Sequence, residues 1–184
     1  MIKTMSKCIK IKDQEQRHAL NAWALAGYNG SVIAGTGFGK SRVGVLAVGK
    51  ILRLNETQRG IVLVPTTQLQ DQFKEEFHKW GYEDVLDRVD ILCYQSARKL
   101  RGQHYGIVVA DEIHLGLSKE YIKFFKLNTY DKLLCMTATQ PEDPEYKVKL
   151  HMLAPEVYHI SLDKCVELGL IAPYNIYCIS VELT

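Results

Sequence analysis

Residues 34–41 read AGTGFGKS, and residues 111–114 read DEIH. The first stretch joins a short apolar segment, residues 31–33, to an apolar pattern of helical period over residues 41–54. The second stretch follows residues 107–110, a continuous apolar run that is typical of a strand buried on both faces of a parallel sheet. These two stretches decide the fold, because a strand, a glycine-rich turn and a helix in this order indicate an α/β protein that binds ligands at the carboxyl ends of its strands.

The glycine-rich stretch has the features of a phosphate-binding loop. Its glycines let the backbone turn tightly and point N–H groups at phosphate oxygens, and the following helix presents the positive end of its dipole to the same anion. Lys40 places an ammonium on the outer phosphates, and the Ser41 hydroxyl is a suitable Mg²⁺ ligand. The strict pattern GxxxxGK[ST] fails only at Ala34, which carries no phosphate-binding side chain. The predicted phosphate-binding residues are Gly35, Thr36, Gly37, Phe38, Gly39, Lys40 and Ser41.

The acidic pair at the end of the second apolar run can supply the acidic metal ligand and the catalytic base that the phosphate loop lacks. Adjacent carboxylates can divide two tasks: Asp111 holds Mg²⁺ through water, and Glu112 orients and deprotonates the attacking water. An acidic pair can also cap the next helix without any ligand. Together with the phosphate loop and Lys40, however, it predicts the binding and hydrolysis of a nucleoside triphosphate with Mg²⁺, with Ser41 and Asp111 as the metal ligands.

Apolar segments of strand length alternate with amphipathic segments of helix length, as expected for βαβ units and a mostly parallel sheet. Further strands are predicted at residues 61–64, 89–93, 132–136 and 174–183. Helices are predicted at residues 13–26, 41–54 and 161–168, and from residue 67, where Thr67 and Gln70 have the spacing of a capping box. Each strand up to residue 136 ends where a short polar motif begins, so the motifs are expected to share one edge of one sheet. No linker interrupts residues 1–184, which indicates a single domain.

The motifs and their order resemble those of superfamily 2 helicases. AGTGFGKS is similar to motif I, AxxGxGK[ST], and DEIH is similar to the DExH form of motif II. VPTTQLQDQF, residues 64–73, resembles motif Ia of the branch that contains restriction-enzyme motor subunits and repair helicases. Residues 94–96, YQS, resemble a short TYQS element of that branch, and residues 137–139, TAT, stand in the place of motif III. The resemblance implies the N-terminal RecA-like lobe of such a motor, a P-loop NTPase with a three-layer α/β sandwich.

This resemblance also implies roles for individual residues. ATP with Mg²⁺ is the expected cofactor, and Gln16 is expected to recognise adenine, although Glu15 replaces the aromatic residue that often precedes this glutamine. Expected contacts to the nucleic-acid backbone come from Thr66, Thr67, Gln68 and Ser96; for Thr67 a simple helix cap is the alternative. Residues expected to couple hydrolysis to strand grip are His114, Thr137 and Thr139.

The resemblance further predicts partners. Motifs IV to VI and their arginine fingers have no counterpart in this sequence, so we expect a second RecA-like lobe, in cis or in trans, and slow ATP hydrolysis by this chain alone. The expected substrate is DNA, single-stranded or duplex, with RNA as an open alternative. The alternatives are a restriction-enzyme motor that moves along duplex DNA without separating it, and a split module that binds nucleotide and DNA but needs a partner lobe. The order of the motifs argues against a small-molecule kinase.

The composition indicates a cytoplasmic protein, in the host if a virus encodes it. With 23 basic and 21 acidic side chains the net charge is +2, so a DNA site must be local rather than the result of a global field. Five cysteines without CxxC spacing indicate reduced thiols. No apolar run approaches the thickness of a bilayer, and no membrane association is expected.

Overall fold

The computed structural model of the protein describes residues 2–172, with side chains described from residue 9. Its centre is a six-stranded sheet with strand order β3-β2-β5-β7-β1-β8, in which every described pairing is parallel. These strands are β1 (Asn29–Ala34), β2 (Gly60–Val64), β3 (Val89–Cys93), β5 (Ile107–Ala110), β7 (Leu133–Thr137) and β8 (Glu156–Ile160). Two short strands, β4 (His104–Tyr105) and β6 (Thr129–Tyr130), form a separate parallel pair.

Helices cover both faces of the sheet. They are α1 (Ile2–Leu25), α2 (Lys40–Leu54), α3 (Thr67–Lys79), α4 (Tyr94–Ala97), α5 (Ile113–Gly116), α6 (Lys123–Leu127), α7 (Pro144–Leu153) and α8 (Leu162–Glu167), together with a 3₁₀ helix, Glu83–Arg88. Side chains of α1, α2, α3 and α8 pack in one core against one face, and side chains of α4 to α7 pack in a second core against the other. The predicted three-layer α/β architecture with a parallel sheet is confirmed.

The parallel register places the predicted motifs side by side. Ile33 pairs with Thr137, Ala110 pairs with both Leu63 and Cys135, and the loops that follow β1, β2, β3, β5 and β7 therefore leave the sheet at the same edge. Long apolar runs form these strands because both faces of the sheet are buried, and β2, β5 and β7 are buried along their whole length. The expected gathering of the motifs at one edge is confirmed.

Three local predictions need correction or fall outside the described residues, and one strand was not predicted. Helix α1 begins before residue 13, and Ala26 lies beyond its end and is exposed. Strand β8 was not predicted, because its sequence, EVYHI, mixes charged and apolar residues as edge strands do. The capping box is wrong: Thr66 occupies the N-cap of α3, and Gln70 Nε2 instead donates to the carbonyl of Ile91 at 3.0 Å. The strand predicted at residues 174–183 lies outside the described residues.

The remaining helix predictions hold. Ser161 caps α8 through a hydrogen bond from the backbone N–H of Lys164 (3.1 Å), and Gly169 follows with a φ of 69°. Phe73 and Phe77 are buried on the inner face of α3. Within residues 2–172, none of the helices has the length and hydropathy that a membrane span requires.

Candidate active site

The loop between β1 and α2 has a backbone that only glycine adopts without strain. Gly37 and Gly39 have φ values of 88° and 86°, and a Cβ on Gly39 would lie 2.5 Å from the Gln16 Nε2 atom. Helix α2 begins at Lys40 with no acidic residue in its first turn and no side-chain cap within the described chain. The backbone N–H of Arg42 donates to the carbonyl of Gly39 at 3.1 Å, and no side chain of the described residues caps the first turn, which suits the binding of an anion at this end of the helix.

Lys40 connects this loop to the acidic pair. Its Nζ donates to the carbonyl oxygen of Ala34 at 3.0 Å and lies 3.6 Å from Glu112 Oε1. The side chain is only 10% exposed, so the ammonium is held between the end of β1 and the end of β5. Lys40 thus stands where it can exchange the carbonyl of Ala34 for a phosphate oxygen.

Asp111 is a buried carboxylate with one oxygen unsatisfied. The residue is 7% exposed, and its Oδ1 has no hydrogen-bond partner within residues 2–172. Burial, and after it the charge of the neighbouring Glu112, raise the pKa of this carboxyl to about 6, although the nearby Lys40 ammonium opposes the rise. An unpaired buried carboxylate is unfavourable without a cation, so Asp111 and the half-buried Ser41 fit the hard oxygen ligands that Mg²⁺ prefers.

Glu112 has a backbone conformation that costs energy. Its φ of 46° and ψ of 53° lie in the left-handed helical region, which is rare for residues other than glycine and asparagine. Glu112 is the N-cap residue of α5, yet its carboxylate makes no capping bond in the described chain. Instead Glu112 Oε2 lies 3.4 Å from the Ala138 N–H and 3.4 Å from the Thr137 hydroxyl. The simple capping alternative for the acidic pair is therefore wrong for Glu112.

The residues that are predicted to couple ATP hydrolysis to the binding of the nucleic-acid strand lie close to the carboxylate of Glu112. His114 Nδ1 lies 3.2 Å from Thr137 Oγ1 and 3.5 Å from Glu112 Oε2. The Thr137 hydroxyl also lies 3.0 Å from the carbonyl of Thr139, which takes part through its backbone while its side chain is exposed. The structure thus joins the end of β5 to the end of β7 by hydrogen bonds; the coupling itself stays a prediction.

Gln16 lies under the phosphate loop. It is 1% exposed, its Nε2 donates to the carbonyls of Phe38 (2.8 Å) and Gly39 (3.3 Å), and its Oε1 accepts from Arg42 Nη1 (2.5 Å). The recognition of adenine by Gln16 stays a prediction. The side chain of Phe38 is fully buried, so only its backbone is available to a phosphate.

Three residues that sequence analysis did not single out complete the loop's support. Lys12 Nζ donates to the carbonyl of Gly37 at 2.7 Å, and Asp13 Oδ1 accepts from Arg42 Nη2 at 2.5 Å. The available signal was the spacing of Lys12, Asp13 and Gln16, which puts them on one face of α1, and the position of Arg42 directly after the loop.

The predicted nucleic-acid contacts lie at the same sheet edge and are exposed. Thr66, Thr67 and Gln68 follow β2 at the start of α3, and Ser96 follows β3 in α4. The Thr66 hydroxyl makes no capping bond within the described chain, and Thr67 is the first residue of the helix rather than its cap. These side chains are accessible to a ligand, and their role stays a prediction.

The parallel sheet, the glycine loop and the acidic pair at a neighbouring strand end define an α/β protein of the P-loop class. The model of the DEAD/DEAH box helicase family matches residues 13–103, just under half of the chain. The resemblance to superfamily 2 helicases is confirmed by this match over residues 13–103, and the fold agrees with that of RecA-like helicase domains.

Solved structures show the same fold. The UvsW helicase from bacteriophage T4 aligns with a TM-score of 0.60 and 15% identity, over 79% of this chain and 59% of that one. The Hef helicase domain of Pyrococcus furiosus aligns with a TM-score of 0.58 and 15% identity, over 76% of this chain and 36% of that one. The Type ISP restriction-modification enzyme LlaGI, solved with a DNA substrate mimic, aligns with a TM-score of 0.58 and 15% identity, over 87% of this chain and 20% of that one.

This chain covers between about a fifth and three fifths of the length of each of these three structures. A search of curated proteins found no match.

Proposed function

We propose that residues 1–184 form one domain, the N-terminal ATP-binding lobe of a superfamily 2 DNA helicase or translocase. This lobe hydrolyses ATP in cooperation with a second RecA-like lobe and couples hydrolysis to movement on, or unwinding of, nucleic acid. The observation that carries the proposal is the approach of Lys40 Nζ to Glu112 Oε1, 3.6 Å, beside the unsatisfied oxygen of Asp111. An ammonium and two carboxylates converge there on the N-terminus of α2, the geometry that a metal-bound triphosphate requires.

Each residue of the site then has one task. The backbone of residues 35–39 and the first turn of α2 bind the phosphates, and Lys40 binds the terminal phosphate. Ser41 and Asp111 hold Mg²⁺, which when bound supplies positive charge against the phosphate oxygens. Because Asp111 is buried, its carboxylate is held in place with little freedom to reorient.

Glu112 is the proposed general base. It accepts the proton of the attacking water on its carboxylate, which the Thr137 hydroxyl and the Ala138 N–H orient through Oε2. The same oxygen is contacted by Thr137 and Ala138 at the end of β7 and lies 3.5 Å from His114 Nδ1 in α5, so a shift of the loop after β7 changes the environment of the base. We propose that His114, Thr137 and Thr139 couple the hydrolysis step to movement on the nucleic acid in this way.

The DNA site is proposed at the exposed ends of β2 and β3. Hydroxyl, amide and backbone N–H groups of Thr66, Thr67, Gln68 and Ser96 are of the kind that contact phosphates. Two proteins with this fold, a Sulfolobus solfataricus SWI2/SNF2 ATPase core and LlaGI, were solved with double-stranded DNA and with a DNA substrate mimic, which supports DNA as the ligand. The use of ATP and the buried free thiols of Cys93, Cys135 and Cys165 suit a cytoplasmic location.

A second lobe is proposed because every arginine among the described residues 9–172 is already engaged by protein groups. Arg42, the nearest in sequence, is bonded to Asp13 and Gln16. Positive charge from a second lobe would raise the rate of hydrolysis by about 10³-fold to 10⁵-fold. The fold likeness to Type ISP restriction enzymes keeps open a motor that moves along duplex DNA without unwinding it; on a two-lobed protein, strand-displacement and triplex-displacement assays separate these functions.

The decisive experiment compares Mg²⁺-ATP binding by the native chain, Lys40→Ala and Lys50→Ala in an equilibrium assay. We expect Lys40→Ala to weaken binding at least about 100-fold, because the loss of a charged contact to phosphate in a partly buried site costs about 3 kcal/mol. Lys50 is an exposed lysine on the same helix and should leave the affinity unchanged. Native-like ATP binding by Lys40→Ala would remove the basis of the proposal.

A further inference from the structure

A cavity of about 340 Å³ lies between helix α7 and the sheet, on the face that α4 to α7 cover. Its floor consists of buried residues: Ser31 and Ile33 of β1, Pro141 in the loop after β7, and Leu150 of α7. The described residues that line it include no member of the phosphate loop or of the acidic pair. Its volume lies within the range of sites for small molecules, so the cavity is a second candidate site, separate from the ATP site.

The side chains of β1 at the floor of this cavity point away from the core that α1 and α2 cover. Val32 and Ala34 pack in that core, and successive side chains of a strand point to opposite faces, so Ser31 and Ile33 face the cavity. Ile33 is 2% exposed, yet it is part of neither of the two cores that the described residues form. The sheet is therefore incompletely packed under α7, and space for a further apolar group remains beside Ile33.

The hydroxyl of Ser31 is buried at the floor of the cavity without a partner. The residue is 0% exposed, and its Oγ has no hydrogen-bond partner within the described chain. Its neighbours on the two adjacent strands are Cys135 and Glu156, and Glu156 Oε2 accepts instead from Gln140 Nε2 at 2.5 Å. A buried hydroxyl that has lost its hydration and gained no bond is unfavourable, so a ligand that bonds it gains affinity.

The mouth of the cavity does not select for an ion. Lys147 and Glu156 lie there with opposite charges, and Val148 adds an apolar side chain that is 59% exposed. The chemistry that fits is thus a neutral, mostly apolar molecule whose buried end carries one hydroxyl or carbonyl group. Apolar surface supplies most of the affinity for such a ligand, and the single polar group fixes its orientation.

We propose that this cavity is a binding site for a small neutral molecule that is apolar except for one hydroxyl or carbonyl group, which bonds Ser31 Oγ. The ligand contacts Pro141, in the loop after β7, and Ile33, which pairs with Thr137 in the sheet. It thus lies against two of the strands whose ends form the proposed ATP site. The proposal goes beyond the proposed function, since neither nucleotide nor DNA takes part in this binding.

The test uses 4-methylphenol and toluene, which differ by one hydroxyl, and measures their dissociation constants by ligand-observed NMR titration. We expect the native chain to bind 4-methylphenol. Ser31→Ala should weaken the binding of 4-methylphenol about tenfold, because a buried hydrogen bond is lost, and should leave the binding of toluene within about twofold. No binding of 4-methylphenol to the native chain, or equal affinity in Ser31→Ala, would overturn the proposal, since the cavity would then hold water only.

A second pair of variants tests the space itself. Ser31→Leu puts a larger apolar side chain into the cavity, so it should abolish the binding of both probes without lowering the melting temperature. Val32→Leu is the matched control: its side chain points into the closed core on the other face, where added volume should lower the melting temperature. An equal loss of melting temperature in both variants would contradict the presence of the cavity.

Lys40→Ala separates this proposal from the proposed function. The variant should bind 4-methylphenol as the native chain does, because Lys40 does not line the cavity. A failure of the native chain to bind Mg²⁺-ATP would overturn the proposed function and leave the binding of 4-methylphenol in place. A loss of 4-methylphenol binding in Lys40→Ala would instead overturn the separation of the two sites.

Discussion

The carboxylate of Glu112 lies 3.4 Å from the hydroxyl of Thr137, although 25 residues separate them in the sequence. The contact exists because β5 and β7 are adjacent parallel strands that end at the same edge of the sheet. Glu112, the proposed base, is thus oriented by Thr137 at the end of β7. The position of the acidic pair therefore depends on the position of residues 137–139.

Replacing Glu112 with Gln should separate binding from turnover. The amide keeps the size of the side chain but cannot accept the proton of the attacking water, so the rate of hydrolysis should fall about 10²-fold to 10⁴-fold. The affinity for Mg²⁺-ATP should remain within a few-fold, since Glu112 is not a proposed phosphate ligand. Single-turnover hydrolysis and equilibrium binding, measured in parallel, check both statements. Retention of the native hydrolysis rate would exclude Glu112 as the base.

Asp111 should make the ligand-free protein less stable as pH rises. Its pKa is raised by burial from 3.8 to about 6, so the folded state binds more protons than the unfolded state between these values, and the free energy of unfolding falls with increasing pH over that interval. The rise in pKa corresponds to about 3 kcal/mol. Asp111→Asn should therefore raise the free energy of unfolding at pH 7.5 by up to about this amount, measured by urea titration without Mg²⁺, and should abolish Mg²⁺-dependent ATP binding.

The exposed Asp71, whose side chain is 77% accessible, provides the control. Asp71→Asn should leave the free energy of unfolding nearly unchanged at both pH 5 and pH 7.5. If Asp111→Asn were less stable than the native chain at pH 7.5, the burial of a charged carboxylate at this position would be the wrong explanation.

The exposed start of α3 should contribute to DNA binding. The double change Thr66→Ala and Gln68→Ala removes two side chains that can bond a phosphate, each worth about 1 kcal/mol, so the dissociation constant for single-stranded DNA should rise about tenfold or more. Because both side chains are neutral, the slope of affinity against salt concentration should not change. Fluorescence anisotropy across a salt titration measures both quantities, with the exposed Gln14→Ala on α1 as the control. Unchanged affinity at every salt concentration would exclude this site.

Sequence analysis predicted well the features that depend only on residues close together in the sequence. The loop of residues 35–41 and the acidic pair follow apolar strands, and buried parallel strands are recognisable from continuous apolar runs. Once the strands are parallel, the meeting of Lys40 and Glu112 at one edge follows from topology alone. The apolar period of α3, with Phe73 and Phe77 four residues apart, likewise needs no long-range information.

The features that sequence analysis missed depend on contacts between distant residues. Gln70 does not complete a capping box because Thr66, and not Thr67, is the N-cap of α3, so Gln70 lies one residue beyond the required position, and its amide N–H donates to the carbonyl of Ile91 on β3. The engagement of Gln16 by Arg42 joins residues 26 positions apart, and neither α1 nor α2 predicts it separately. Strand β8 forms by pairing with the edge of β1. The mixed polar and apolar pattern of residues 156–160 does not predict this pairing.

Tyr94 connects the short helix α4 to the acidic pair that follows β5. Its buried phenol, whose pKa is raised by desolvation so that it remains a donor, bonds the carbonyl of Asp111 at 2.8 Å. Ser96, a proposed DNA contact, lies in the same short helix α4. A force that a bound DNA strand exerts on this helix would therefore be transmitted through this hydrogen bond to the peptide of Asp111, the proposed metal ligand.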